Sequence, residues 1–178
     1  MIYIDNSATT KQYPQVTETM MKYMEEYFGN PSSMYQLGLD SEKAVKHARK
    51  QVEEAMGAGN GTLIFTSGGT EADNTAIFGA ARALRRHGNR IITSAVEHPA
   101  VLECCKRLEQ DGYDVVYVGV DDKCRLDLER LEDAIDENTI LVSLMQVNNE
   151  AGTIMPVDAV KDLMKKKNAP GWFHCDAV

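Results

Sequence analysis

The sequence is poor in the features that mark the specialised protein classes. No run reaches the roughly eighteen apolar residues of a membrane span. The opening MIYIDNSATT has neither the basic region nor the apolar core of a signal peptide. The four cysteines, Cys104, Cys105, Cys124 and Cys175, form no CxxC pair, so neither a zinc site nor a disulfide framework is expected. Basic residues are outnumbered 19 to 27, giving a net charge of -8. That balance removes long-range attraction to nucleic acid or an anionic membrane. Internal repeats and low-complexity tails are absent, and so are a Walker A loop and a GxGxxG turn. These absences leave a globular chain in a reducing, cytoplasmic setting, and any anionic ligand must be held by local contacts.

What is present alternates. TLIFT (62–66), RIITS (90–94), DVVYVGV (114–120), TILVSLMQV (139–147) and GWFHC (171–175) have the length and β-branched content of strands. Helical patterns fall between them, at 71–86, 98–110, 127–136 and 157–167. Pro99 and Pro156 suit a first helical turn, and Asp127 is placed to cap the helix it opens. Val157, Val160, Leu163 and Met164 make one apolar stripe, with Lys161 and Lys165 to Lys167 outside it. The alternation predicts an α/β fold with a mostly parallel sheet flanked by helices. Ahead of it come a short strand at 2–4, helices at 14–27 and 38–56, and the turn cluster FGNPSS. In the second helix, Ala44, Val45, Ala48, Val52, Ala55 and Met56 are spaced to face a core.

Ligands of open α/β sheets bind beyond the carboxyl ends of the strands, so the polar residues there are the candidates. SGGTEADN follows 62–66; Gly69 and Thr70 open a helix whose free N–H groups suit a phosphate, although a plain turn and cap would read the same way. AVEHPA follows 90–94 and puts Glu97 and His98 at a strand-to-helix junction, where the imidazole can cap the helix or lie against a ligand. NNEAGT follows 139–147; Asn148 and Asn149 can serve a ligand or an Asx turn. Asp176 shares a strand face with His174, and a carboxylate in that position needs a cation or donors to meet it. His174 and Asp176 have no third ligand at metal spacing, so no metal is expected. A phosphate nest, an imidazole, an amide and a carboxylate together suit a planar, phosphate-tailed heterocycle with a protonatable nitrogen. Pyridoxal 5'-phosphate (PLP) has that description.

The segments YIDNSATT (3–10), FGNPSS (28–33), FTSGGTEADN (65–74), EHPAVL (97–102), ILVSLMQVNNEAGT (140–153) and HCDAV (174–178) resemble, in order, the NifS/IscS-like cysteine desulfurases. These belong to the class V aminotransferase group of fold-type I PLP enzymes. The resemblance implies the PLP-binding large domain of that fold, incomplete, over 14–178, with 1–13 associated with the small domain. It implies that Gly69 and Thr70 bind the phosphate, that His98 stacks on the ring and acts in proton transfer, and that Asn149 contacts the phenolic oxygen or substrate. Asp176 pairs with the ring nitrogen, Asn148 and Glu150 shape the turn, and Ala8 and Thr9 lie near cofactor and substrate.

The implied reaction converts L-cysteine to L-alanine and leaves a persulfide on an enzyme cysteine. Its sulfur serves iron–sulfur scaffolds or tRNA thiolation, and the implied assembly is a homodimer. The family's cofactor-binding lysine and catalytic cysteine have no counterpart in the 178 residues. The chain is therefore expected to be inactive alone. A non-catalytic scaffold of the same fold, or a related PLP lyase or aminotransferase, is the alternative.

Overall fold

The computed structural model describes residues 2–178. The chain divides into two compact units, residues 1–65 and 66–178.

The first unit carries helices α1 (Pro14–Glu25) and α2 (Gln36–Ala55). Pro14 opens α1, where its missing N–H leaves no bond unmade. Ser41 fastens the start of α2 by donating to the carbonyls of Leu37 and Tyr27. The guanidinium of Arg49 lies 4.9 Å from the centre of the Phe65 ring. Two sequence expectations fail in this unit. Residues 2–4 are not a strand, and the predicted core stripe of α2 stands open, with Val45 41% and Met56 73% exposed. Periodicity sorts side chains onto one face, but burial needs a second surface against that face.

The second unit is the parallel α/β layer. Helix α3 (Gly69–Leu84) leads into β1 (Arg90–Ser94), followed by α4 (Pro99–Gln110), β2 (Asp114–Val118), α5 (Leu128–Ala134) and β3 (Thr139–Met145). A 3-10 turn at Val157–Ala159 then feeds α6 (Val160–Lys166) and β4 (Trp172–Asp176). The order across the sheet is β2-β1-β3-β4, and every pairing is parallel. The predicted strand at 62–66 is absent. A strand exists only with a hydrogen-bonded neighbour, and among the described residues TLIFT has none; Ile64 is 70% exposed. The helix it was expected to feed begins directly after an irregular stretch.

Both faces of the sheet are covered. Ile91 and Leu141 pack with Ile77, Ala81, Val101 and Cys105 of α3 and α4. Their chain neighbours Ile92 and Val142 pack on the opposite side with Leu131, Val160 and Met164 of α5 and α6. All seven residues of β3 are buried, which is why TILVSLM shows no polar alternation. Gly171 lies against the backbone of Ile140, so no side chain fits where β4 enters beside β3. Asp127 caps α5 as expected, accepting from the amides of Glu129 and Arg130 at 3.1 Å each. Because α5 is only seven residues long, Asp127→Ala should lower stability by about 1 kcal/mol. The midpoint of urea denaturation measures this.

Candidate functional site

From β1 the chain moves to β2 at one edge, whereas β3 and β4 lie on the other side of β1. The direction of winding therefore reverses between β1 and β3, and the loops leaving their carboxyl ends diverge into a crevice. Asn148 spans it. Its amide nitrogen donates to the Val96 carbonyl at 3.0 Å, and its side-chain oxygen accepts from the amides of Glu150 and Ala151. Asn148 thus serves the loop itself and is buried, while its neighbour Asn149 is exposed and its side chain donates to the Glu150 carboxylate.

Two helix starts face the same edge, since α3 and α4 run back along the strands. His98 caps α4: its Nδ1 accepts from the Ala100 amide at 3.1 Å, with Pro99 next in the first turn. That bond assigns the imidazole proton of the neutral ring to Nε2, which makes no hydrogen bond among the described residues. Helix α3 has no side-chain cap, because the residue at its N-cap position, Gly68, has no side chain to offer. The first N–H groups of α3 are therefore open to an outside acceptor. Glu71, the acid of that turn, is turned aside onto Ser67, which donates from both its amide and its hydroxyl at 2.6 Å and holds the carboxyl below its usual range. A Cβ on Gly69 would come within 3.1 Å of Val178, so the α3 turn adjoins the residues that follow β4. Asp176 ends β4 and accepts from the Val178 amide at 3.1 Å.

Beneath this edge sits a buried acidic group. Asp73, one turn into α3, is 4% exposed and Glu97 is 5% exposed. Burial pushes Asp73 up to about 6, with the Asp176 charge adding to the rise and His98 opposing it. Burial likewise pushes Glu97 up to about 7, against the hydrogen bond from the Ser94 hydroxyl, and Asp176 and Asp73 raise it further. The second Glu97 oxygen has no partner among the described residues. His174 lies between Ser143, 2.9 Å from Nδ1, and Asp73, 3.5 Å from Nε2. Burial lowers its basicity, and Asp176 pulls the other way. Two buried carboxyls with raised pKa values, each pushed further by the Asp176 charge, make this edge one that a cation would suit.

Gly69, Thr70, His98, Asn149 and Asp176 thus come to the carboxyl edge of one sheet. Ala8 and Thr9 belong to the first unit, in an exposed turn closed by their amides on the Asp5 carbonyl. Sequence reasoning missed Asp73. The signal was present: Asp73, Ile77, Ala80, Ala81 and Leu84 repeat at helical spacing, so the acid stands on the buried stripe of α3. The thiols of α4 are unsuited to nucleophilic attack, because burial pushes Cys104 up to about 11 and Cys105 up to about 12.

The sequence profile described as Aminotransferase class-V matches residues 2–178. A cysteine desulfurase of Trichormus azollae is 48% identical over 180 aligned residues, covering all of this chain and 44% of that protein. The cysteine desulfurase IscS of Methanosarcina thermophila is 47% identical, covering 99% of this chain and 43% of its own length. Among solved structures, a NifS-like protein superposes with a TM-score of 0.93 at 39% identity, over 99% of this chain and 49% of that one. A structure of SspA in complex with cysteine superposes at 0.88 with 32% identity, over 98% and 50%. The chain spans about 44% of the length of the curated relatives it matches, and the matched part is their N-terminal one. With the profile covering the described fold from end to end, the chain belongs to the class-V aminotransferase family.

Proposed function

We propose that the chain is the N-terminal, cofactor-facing part of a PLP-dependent cysteine desulfurase. The observation that carries the reading is the placement of Asp176 at the end of β4, beside an uncapped helix start. A carboxylate for a ring nitrogen and free amides for a phosphate stand together. The donor set fits PLP on that ground: the α3 turn at Gly69 and Thr70 would hold the phosphate, Asp176 the ring nitrogen, and His98 the ring face. Asn149, left free by Asn148, would contact the phenolic oxygen. When bound, the cofactor supplies an electron sink for the charge left when a proton is lost from the substrate Cα.

The chain's own residues would orient and protonate. Asp176 would keep the ring nitrogen cationic, and His98 could hold or pass a proton at Nε2, since Nδ1 is fixed by its cap. L-cysteine as substrate is supported by the cysteine bound to the similar SspA and by the names of the curated relatives. Alanine and an enzyme persulfide are the products under this reading, with an iron–sulfur scaffold or a tRNA-thiolation protein as the sulfur acceptor. We assign the covalent attachment of PLP and the sulfur-accepting thiol to parts of the enzyme other than this chain. Lys161, Lys165 and Lys166 lie exposed on α6, and Cys104 and Cys105 are buried with raised pKa values. A homodimer in the cytoplasm, residues 1–13 associated with a small domain, and Ala8 and Thr9 near the substrate are carried by sequence correspondence alone.

The test is to incubate the purified chain with PLP and L-cysteine. Saturable binding is expected, with no alanine or sulfide released and no lysine fixed to the cofactor by borohydride. Alanine released at a rate that Asp176→Ala removes would overturn the division of labour.

A further inference from the structure

Asp73 and His174 belong to different layers, one in α3 and the other in β4, and approach to 3.5 Å with the Asp73 side chain almost fully covered and that of His174 mostly so. Burial of a carboxylate against a histidine is a weak source of stability, because desolvation offsets most of the attraction. An apolar residue at position 73 would continue the stripe of Ile77, Ala80, Ala81 and Leu84. The position of the pair along the chain offers a better account. Asp73 lies one helical turn after Gly69 and Thr70, on the rigid first turns of α3. His174 lies two residues before Asp176, on the same face of β4. The pair therefore ties the turn that would hold a phosphate to the strand that presents the carboxylate. Ser143 completes the tie from β3: it is the register partner of His174, is fully buried, and fixes Nδ1 at 2.9 Å.

We propose that Asp73, His174 and Ser143 form a buried positioning chain that sets the distance and orientation between the α3 amide turn and Asp176. Asp73 is then a positioning residue that acts on the cofactor through His174 without touching it. This rests on the PLP reading above and deepens it, because a ligand gripped at both its phosphate and its ring nitrogen senses the spacing between two protein elements. At neutral pH, Nε2–H of His174 faces the Asp73 carboxylate while Nδ1 accepts from the Ser143 hydroxyl. Other titratable groups are coupled to the pair: Asp176 on β4 raises Asp73 and His174, His98 at the start of α4 lowers Asp73, and Asp73 in turn raises Glu97 after β1 and Cys104 within α4.

The experiment is a double-mutant cycle on the full 178-residue chain, reading PLP binding from the fluorescence of Trp172, the lone tryptophan, which lies on β4. Wild type, Asp73→Asn, Asp176→Asn and the double variant are compared. In parallel, 15N spectra of the ligand-free chain report the His174 tautomer. Asp73→Asn should weaken binding about tenfold in the wild-type background and less than about twofold once Asp176 is replaced. It should also shift the His174 ring signals. His174→Gln, put through the same cycle, covers the case in which Asp73→Asn does not fold. Binding that Asp176→Asn weakens but Asp73→Asn leaves unchanged, or a loss of equal size in both backgrounds, overturns the positioning role and leaves the PLP reading standing. No saturable binding by the wild type overturns the PLP reading, and this proposal with it.

Discussion

Raising the pH from about 4 to about 8 should destabilise the second unit, and Glu97→Gln should remove a large part of that loss. In the unfolded chain Glu97 ionises at its ordinary value of 4.5, whereas burial raises it to about 7 in the folded protein. Below 4.5 both states carry the proton and the fold keeps its full stability. Between 4.5 and 7 the unfolded chain gives up its proton while the folded chain retains it, so stability falls with rising pH until the folded pKa is passed. For a side chain this buried, the loss amounts to about 3 kcal/mol. Asp73 contributes in the same direction over the window from 3.8 to about 6. His174 contributes in the opposite one: its basicity is lowered, so it favours the fold above its usual 6.5 and costs stability as the pH falls below. Glutamine retains an acceptor for the Ser94 hydroxyl and cannot ionise, so its denaturation midpoint, followed by Trp172 fluorescence, should vary less across the range. A wild-type midpoint that is flat between pH 5 and 7 would contradict the buried, uncompensated acid.

Asp176→Ala should weaken PLP binding about 100-fold while making the ligand-free chain more stable at pH 8. The first effect follows from removing one partner of a charge pair that leaves the other partly desolvated. The second follows from the geometry of the acids, since Asp176 raises both Asp73 and Glu97. Without it, each ionises with less strain. A residue whose removal strengthens the fold and weakens binding is kept for its chemistry. Calorimetric melts of the two proteins, with and without PLP, separate these effects. A variant that is less stable at pH 8 and binds PLP unchanged would place Asp176 in a structural role.

How far these features were legible in the sequence differs by residue. The four strands of the sheet were, because each has a neighbour within the chain and carries enough apolar residues to be buried on both faces. RIITS matches its observed span, and TILVSLMQV runs two residues past the end of β3. TLIFT has the same composition yet forms no strand, because composition reports a capacity for pairing and not the presence of a partner. The α2 stripe failed for the related reason that an apolar face was read as a buried one.

Within the candidate site, His98 and Asn148 were legible as types but ambiguous in use. Each could serve the local backbone or a ligand, and the structure gives the backbone role to both, leaving Nε2 of His98 open and Asn149 exposed with its Glu150 contact. Asp73 was hidden by its neighbours: TEADN reads as a polar helix start, and only the alignment of position 73 with Ile77 and Leu84 marks it as inward. The crevice between β1 and β3 follows from strand order, which a list of strands does not contain.

The most direct test of the central claim, that this edge grips a phosphate-bearing pyridine at both ends, is an equilibrium titration of the chain with three ligands. These are PLP, pyridoxal without its phosphate, and a phosphate-bearing benzaldehyde analogue without the ring nitrogen. PLP should bind tightest at a single saturable site, with each analogue at least about tenfold weaker. Asp176→Ala should reduce PLP to the affinity of the nitrogen-free analogue, whose own binding the substitution leaves unchanged. Equal affinity for all three ligands, or an equal loss for PLP and the nitrogen-free analogue in Asp176→Ala, would contradict it.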